Sequence, residues 1–226
     1  RPTVVLGHSV GEVAAACVAG VMTVETGMRL APERGRAMQA VPSRGGVVVA
    51  VRAGRDAAEA AVAAVAGDMA AAVGEDGAAD APALSEMVSV ASVNGPSSVV
   101  LSGAADAVDA VLEKLGGGSN AQQQQQQGRR LDVSHAFHSP LMGDMRAPFG
   151  ELVSSLELSA NDVALASTVT GRVIPPGSPD LTDVDHWVRQ VTAPVLVSDA
   201  VAAALQHGEE GVGARVTAVL EVGPHP

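Results

Sequence analysis

Apolar and polar positions fall along this chain in blocks of alternating rhythm, and each block predicts an element. Thr3-Val4-Val5-Leu6 is a short β-branched run that reads as a buried strand. It breaks at Gly7-His8-Ser9-Val10-Gly11, after which residues 12–21 run Ala- and Val-rich without a breaker and predict a buried helix. A second helical stretch covers 24–40, with Pro32 inside it expected to start or kink a helix there. From Gly46 the rhythm changes. Residues 47–51 predict a strand, 56–66 a helix, and 88–93 and 98–101 two strands separated by the turn Asn94-Gly95-Pro96. Residues 104–115 predict a helix and 130–133 a short strand, so the order over this stretch is βαββαβ, the split-βαβ or ferredoxin-like plan. Beyond it, 164–170 predict a strand ending in a Gly171 turn, 185–191 and 197–207 two helices, and 216–222 a terminal strand.

This order predicts an α/β fold: a mostly parallel, hydrolase-like large subdomain formed by 1–45 and 134–226, with a ferredoxin-like small subdomain, 46–133, inserted into it. Two stretches of the insert carry no apolar face. Residues 67–85 are rich in Ala, Gly and Asp and read as a solvated loop. Residues 116–129 contain Gly-Gly-Gly-Ser and six consecutive glutamines, 122–127, and read as flexible.

Composition narrows the picture. Apolar residues make up 47% of the 226 and aromatics 1%, so Ala, Val and Leu must build the core, with Trp187, Phe137 and Phe149 as rare large pieces. That favours helices layered on sheets over an aromatic-rich sandwich. A net charge of −11 offers no cationic surface for nucleic acid. The single Cys17 excludes an internal disulfide and a Cys-rich zinc site, and fits a cytoplasmic location. No run approaches the roughly 18 apolar residues of a membrane span, and no signal peptide is visible. The chain opens on Arg-Pro-Thr and stops at Gly223-Pro224-His225-Pro226, and both ends read as cut from a longer polypeptide.

The chemistry starts at Gly7-x-Ser9-x-Gly11 between a predicted strand and a predicted helix, the nucleophile-elbow pattern. Glycines flanking the serine allow close backbone approach and leave Oγ exposed, while the helix N-terminus offers N–H groups to an oxyanion, the Val10 N–H first. A serine needs a base. His8 adjoins Ser9 and points elsewhere; composition and spacing do not choose among His135, His138, His186, His207 and His225.

The run Gly7-His8-Ser9-Val10-Gly11-Glu12 resembles the elbow of malonyl-CoA:acyl-carrier-protein transacylases, and especially of the acyltransferase domains of modular type I polyketide synthases. Four further segments resemble that family in the right order: Arg34-Gly35-Arg36-Ala37-Met38-Gln39, Val93-Asn94-Gly95-Pro96-Ser97-Ser98-Val99-Val100, Val133-Ser134-His135-Ala136-Phe137-His138-Ser139-Pro140-Leu141-Met142, and Leu220-Glu221-Val222-Gly223-Pro224-His225-Pro226. The resemblance implies an enzyme that transfers a malonyl group from coenzyme A to the phosphopantetheine thiol of an acyl carrier protein, in polyketide or fatty-acid synthesis. It implies Ser9 as nucleophile, His138 as the base, oriented by backbone carbonyls, and Arg34 as the partner of the malonyl carboxylate, a role suited to a guanidinium fork. It places Gln190 on the acyl pocket and makes Phe137 the residue that favours malonyl over methylmalonyl by leaving less room for a methyl. It implies no metal and no redox cofactor, only malonyl-CoA as substrate, and a ketosynthase among neighbouring synthase domains. It also implies a segment before the elbow whose Gly-Gln-Gly stretch supplies the second oxyanion donor, so the 226 residues alone are expected to be unstable or nearly inactive. Arg129, Arg130 and Arg189 are read as solvated surface, though they could meet acidic phosphates. Two other readings compete: a serine hydrolase or thioesterase with the same elbow, using His207 or His225, and an inactive, truncated docking domain.

Overall fold

The computed structural model describes residues 1–73, 87–116, 128–207 and 216–223. Strand β1 (Val4–Leu6) leads through the elbow into helix α1 (Gly11–Ala19). Val13, Ala15, Ala16 and Ala19 of α1 are buried, as an Ala/Val helix without polar breakers requires. Gly20 ends it in the left-handed region, φ 87°, and the N–H groups of Gly20 and Val21 return to the last-turn carbonyls, a Schellman closure.

Helix α2 (Val24–Ala40) begins at Thr23, whose side chain accepts from the Thr26 N–H at 3.1 Å. It runs unbroken through Pro32, where a start or kink is expected from sequence. Pro32 and Met28 lie one turn apart on the exposed face, so water can take the carbonyl that the missing N–H leaves unbonded. The opposite face buries Gly27, Leu30, Arg34 and Met38 in a stripe of helical period.

The chain then builds a separate four-stranded sheet. Its elements are β2 (Gly46–Val51), α3 (Arg55–Val73), β3 (Val88–Gly95), β4 (Ser98–Ala104), α4 (Ala105–Lys114) and β5 (Gly128–Arg130). The strand order is β3-β4-β2-β5 with every pairing antiparallel, the ferredoxin-like arrangement. Val49, Val51, Val88, Val90, Val99 and Leu101 form one core with Ala58, Ala61 and Val65 of α3 and Val108, Val111 and Leu112 of α4.

Two sequence boundaries shift here. Residues 67–73 continue α3 instead of opening a loop, because the many flanking alanines outweigh the roughly 1 kcal/mol that a single mid-helix glycine costs. The rest of that expected loop, and the glutamine tract, lie outside the described residues. The last strand covers 128–130 and not 130–133, since the bare Cα of Gly128 closes on Val49, where a Cβ would fall 2.8 Å from Cγ1.

The returning chain forms a 3-10 segment (Pro140–Met145), helix α5 (Arg146–Ser154), strands β6 (Ala164–Ser167) and β7 (Arg172–Ile174), helix α6 (Val184–Thr192) and helix α7 (Val197–Gln206). Strand β6 pairs parallel with β1 and antiparallel with β7, giving the order β1-β6-β7. The predicted strand 164–170 ends at Ser167, where the chain turns through Gly171, φ 68°. Residues 216–222, expected as a terminal strand, pair with no strand among the described residues, and Val219, Leu220 and Val222 are exposed; β-propensity without a neighbouring strand makes no ladder. A second core gathers Leu30, Phe149, Leu165, Leu181 and Trp187. The segment 193–196 stitches the two sheets together. Val195 exchanges hydrogen bonds with Ala91 and Val93 of β3, and the Leu196 N–H donates to the Thr168 carbonyl at 2.7 Å.

Candidate active site

The elbow is tight because Gly7 and α1 share the same space. A Cβ on Gly7 would lie 2.2 Å from the Gly11 carbonyl carbon and oxygen, so only glycine fits. Gly11 differs from the sequence expectation, since a Cβ there would meet nothing within 4 Å. Close approach is needed on one side of the serine only. Ser9 itself adopts φ 52°, an uncommon conformation for a residue with a Cβ. Gly11 N–H donates to the His8 carbonyl and Glu12 N–H to the Ser9 carbonyl, which starts the helix directly behind Ser9.

Ser9 Oγ lies 2.7 Å from His138 Nε2. The other ring nitrogen, Nδ1, donates to the Ala193 carbonyl at 3.2 Å, which leaves the Nε2 lone pair facing the hydroxyl. His138 also has positive φ, 56°, and its own carbonyl accepts from Ser89 Oγ of β3 at 3.0 Å. The imidazole is buried, and burial pushes its pKa down to about 4 from an ordinary 6.5. The positive charge of Arg34 adds to that fall and His8 adds a little, while the Ala193 and Gln190 carbonyls oppose it. No carboxylate is among these influences.

Arg34 is 4% exposed on the buried stripe of α2. Nη1 points at Met38 Sδ, 3.6 Å away, and among the described residues Nε and Nη2 have no hydrogen-bond partner. Burial lowers its pKa to about 10, so it remains a cation near neutral pH. Gln190 is also buried, on α6, with neither side-chain amide atom paired among the described residues. A buried fork and a buried amide without partners suit a polar ligand that supplies the missing acceptors and donor.

Phe137 is half-buried against the larger core, its ring centroid 6.0 Å from that of His135. Val10 is exposed at the N-terminal end of α1, and its N–H has no acceptor among the described residues. His8 turns away from Ser9 toward Asn94 Oδ1 at 3.3 Å. His135 is bound to Ser134 Oγ and the Val41 carbonyl. His207 ends α7 and makes no hydrogen bond to Ser9, and His225 lies outside the described residues. Arg130 pairs with Asp109 at 2.6 Å.

A second cluster, beneath the elbow, is not anticipated by the sequence reading. Glu12 is 0% exposed, and its carboxylate accepts from Ser167 Oγ, the Thr168 N–H, Thr168 Oγ1 and His186 Nε2 at 2.9, 3.1, 2.6 and 3.0 Å. The available signal is a lone carboxylate opening an otherwise apolar helix, which cannot be buried without partners.

The family model described as the acyl transferase domain matches residues 41–226, a span that begins after Ser9 and Arg34. Polyketide synthase GfsB of Streptomyces halstedii is 41% identical over 224 residues, which are 99% of this chain and 3% of that protein. The acyltransferase domain from the second module of the salinomycin polyketide synthase superposes with a TM-score of 0.73 at 36% identity, covering 92% of this chain and 42% of that one. An acyl carrier protein S-malonyltransferase from Vibrio cholerae superposes with a TM-score of 0.72 at 26% identity, covering 94% of this chain and 61% of that one. The chain therefore spans less than two thirds of each of these relatives.

Proposed function

The chain belongs to the acyl transferase domain family, and we propose that it moves a malonyl-type acyl group from coenzyme A, through Ser9, to the phosphopantetheine thiol of an acyl carrier protein. The observation that carries this reading is the 2.7 Å contact between Ser9 Oγ and an imidazole nitrogen whose partner nitrogen is held by a carbonyl. His138 takes the Ser9 proton on Nε2 as Oγ attacks the thioester carbonyl carbon. Negative charge collects on the carbonyl oxygen beside the Val10 N–H and the N-terminus of α1. The carbon–sulfur bond breaks, and the CoA thiolate leaves with the proton from Nε2. The carrier thiol then repeats the sequence in reverse and frees Ser9.

The Ala193 and Gln190 carbonyls stabilise the transient imidazolium, the part a carboxylate plays in a Ser-His-Asp triad. Arg34 receives the free malonyl carboxylate on its unpaired Nε and Nη2, Gln190 lines the acyl pocket, and Phe137 restricts room for an α-methyl. The site lies where two subdomains meet, 1–45 with 134–226 and the insert 46–133, a division supported by the two separate cores. A ketosynthase is the expected neighbouring domain, and the cytoplasm the expected location. Among the described residues no helix is long and apolar enough to cross a membrane.

Incubation of the full-length polypeptide with radiolabelled malonyl-CoA tests the reading. Label should appear on Ser9 by peptide mass spectrometry, pass to added holo carrier protein, and be absent from Ser9→Ala. Rapid release of free malonate without a carrier would establish a hydrolase instead, and an unlabelled Ser9 would leave only a docking role.

A further inference from the structure

The Glu12 cluster joins the two halves of the reacting pair. Glu12 lies in the first turn of α1, three residues after Ser9. His186 lies in the first turn of α6, whose other end supplies the Gln190 and Ala193 carbonyls that face His138. One hydrogen bond, His186 Nε2 to Glu12 Oε1 at 3.0 Å, therefore ties the nucleophile's helix to the element that aims the base. Both side chains are essentially sealed from solvent, at 0% and 2% exposure. His186 is backed by Trp187, which packs edge-on against it with centroids 5.4 Å apart and anchors α6 through Nε1 to the Leu181 carbonyl. Thr168 grips the elbow from below. Its hydroxyl donates to Glu12 Oε2 and lies 3.2 Å from the Gly7 carbonyl, so one side chain touches the chain on both sides of Ser9. Its carbonyl meanwhile accepts from Leu196, just beyond Ala193.

We infer that Glu12 and His186 are positioning residues that set the distance between Ser9 Oγ and His138 Nε2. Neither touches the reacting atoms. Four donors on two oxygens suit a carboxylate, which only accepts, and bind it to β6, the turn after it and α6 at once. Loss of that tie lets α1 and α6 settle independently. A displacement of about 1 Å between reacting groups is enough to cost up to roughly a hundredfold in rate. The inference rests on Ser9 and His138 being the reacting pair, and it does not depend on the identity of the acyl group.

The test uses the full-length polypeptide with Glu12→Gln, His186→Leu and His186→Gln. The last keeps an N–H donor for Glu12. Two rates are read: phosphonylation of Ser9 by a small fluorophosphonate, and malonyl transfer. Phosphonylation and kcat should fall together, by roughly tenfold to a hundredfold, in Glu12→Gln and His186→Leu, with KM for malonyl-CoA within about twofold of wild type, and His186→Gln should recover most of the rate. Should Glu12→Gln fail to fold, the two His186 variants decide the matter, scaled to folded protein by a thermal melt. Equal phosphonylation rates in His186→Leu, His186→Gln and wild type would overturn the inference. A wild type that phosphonylates at Ser9 but transfers no malonyl would overturn the proposed function and leave the positioning role intact.

Discussion

Ser9 and His138 share a hydrogen bond of 2.7 Å, and they are also the two non-glycine residues with positive φ among those described. Strained backbone is retained where surrounding structure holds it in place. Here Gly7 and Thr168 brace one residue, and Ser89 and the Ala193 carbonyl brace the other. The two strained residues are the two whose side chains meet.

The lowered pKa of His138 sets the pH behaviour. An imidazole that stays neutral down to about 4 keeps Ser9 reactive through mildly acidic pH, so the acid limb of the phosphonylation rate should lie near 4 and not near 6.5. Replacing Arg34 with Ala removes a cation that pushes the value down, so that limb should move to higher pH. The stability sign follows. Between 6.5 and about 4 the unfolded chain binds a proton that the native histidine refuses, so folding weakens as pH falls through that window, by up to about 3 kcal/mol. Denaturant melts at pH 7 and pH 4.5, compared with those of His138→Gln, isolate this contribution.

Arg34 should trade stability against selectivity. Its buried guanidinium, with Nε and Nη2 unpaired among the described residues, costs folding free energy when no ligand is present. Arg34→Ala should therefore leave the unliganded protein at least as stable as wild type, while kcat/KM for malonyl-CoA falls roughly a hundredfold or more and acetyl-CoA becomes the better donor. Thermal shift with malonyl-CoA should raise the wild-type midpoint and leave the variant's unmoved.

The two glycines of the elbow should behave differently. Gly7→Ala forces a Cβ to within 2.2 Å of backbone and should cost roughly 3 kcal/mol or more. Gly11→Ala places its methyl in open space and should fold with stability equal to or slightly above wild type, because alanine is the better helix former. Urea melts of both variants test this.

Phe137→Ser should relax acyl choice. Removal of the ring opens room for one methyl, a contact worth about 1–3 kcal/mol, so the methylmalonyl-to-malonyl ratio should rise by roughly tenfold in a competition assay. An unchanged ratio would take Phe137 out of the specificity account.

Where the chain obeys local rules, the sequence reading is reliable. The β-branched run, the elbow and the Ala/Val helix appear as β1, Ser9 and α1, and the span of α2 matches residue for residue. The reading is weaker where a partner far along the chain decides the outcome. Residue type alone makes Arg34 a solvated helix position, although the spacing of Gly27, Leu30, Arg34 and Met38 already puts it on the apolar face. Glu12 and His186 are 174 residues apart, and no local pattern joins them. Helix α5 carries Gly150 in its interior, a poor helix former, and is held by tertiary packing around Phe149 and Val153. Residues 216–222 show the reverse case, strong propensity without a neighbouring strand among the described residues.

The group that orients the His138 ring is a peptide carbonyl, at Ala193, just past the last turn of α6. Every amino acid carries that oxygen, so no exchange of side chain at 193 deletes it. A mutational scan would find Ser9 and His138 and pass over their third member in silence. Its loss would register only when the helix end itself moved, which makes the fold of residues 184–196, and no single functional group within it, the heritable unit of orientation.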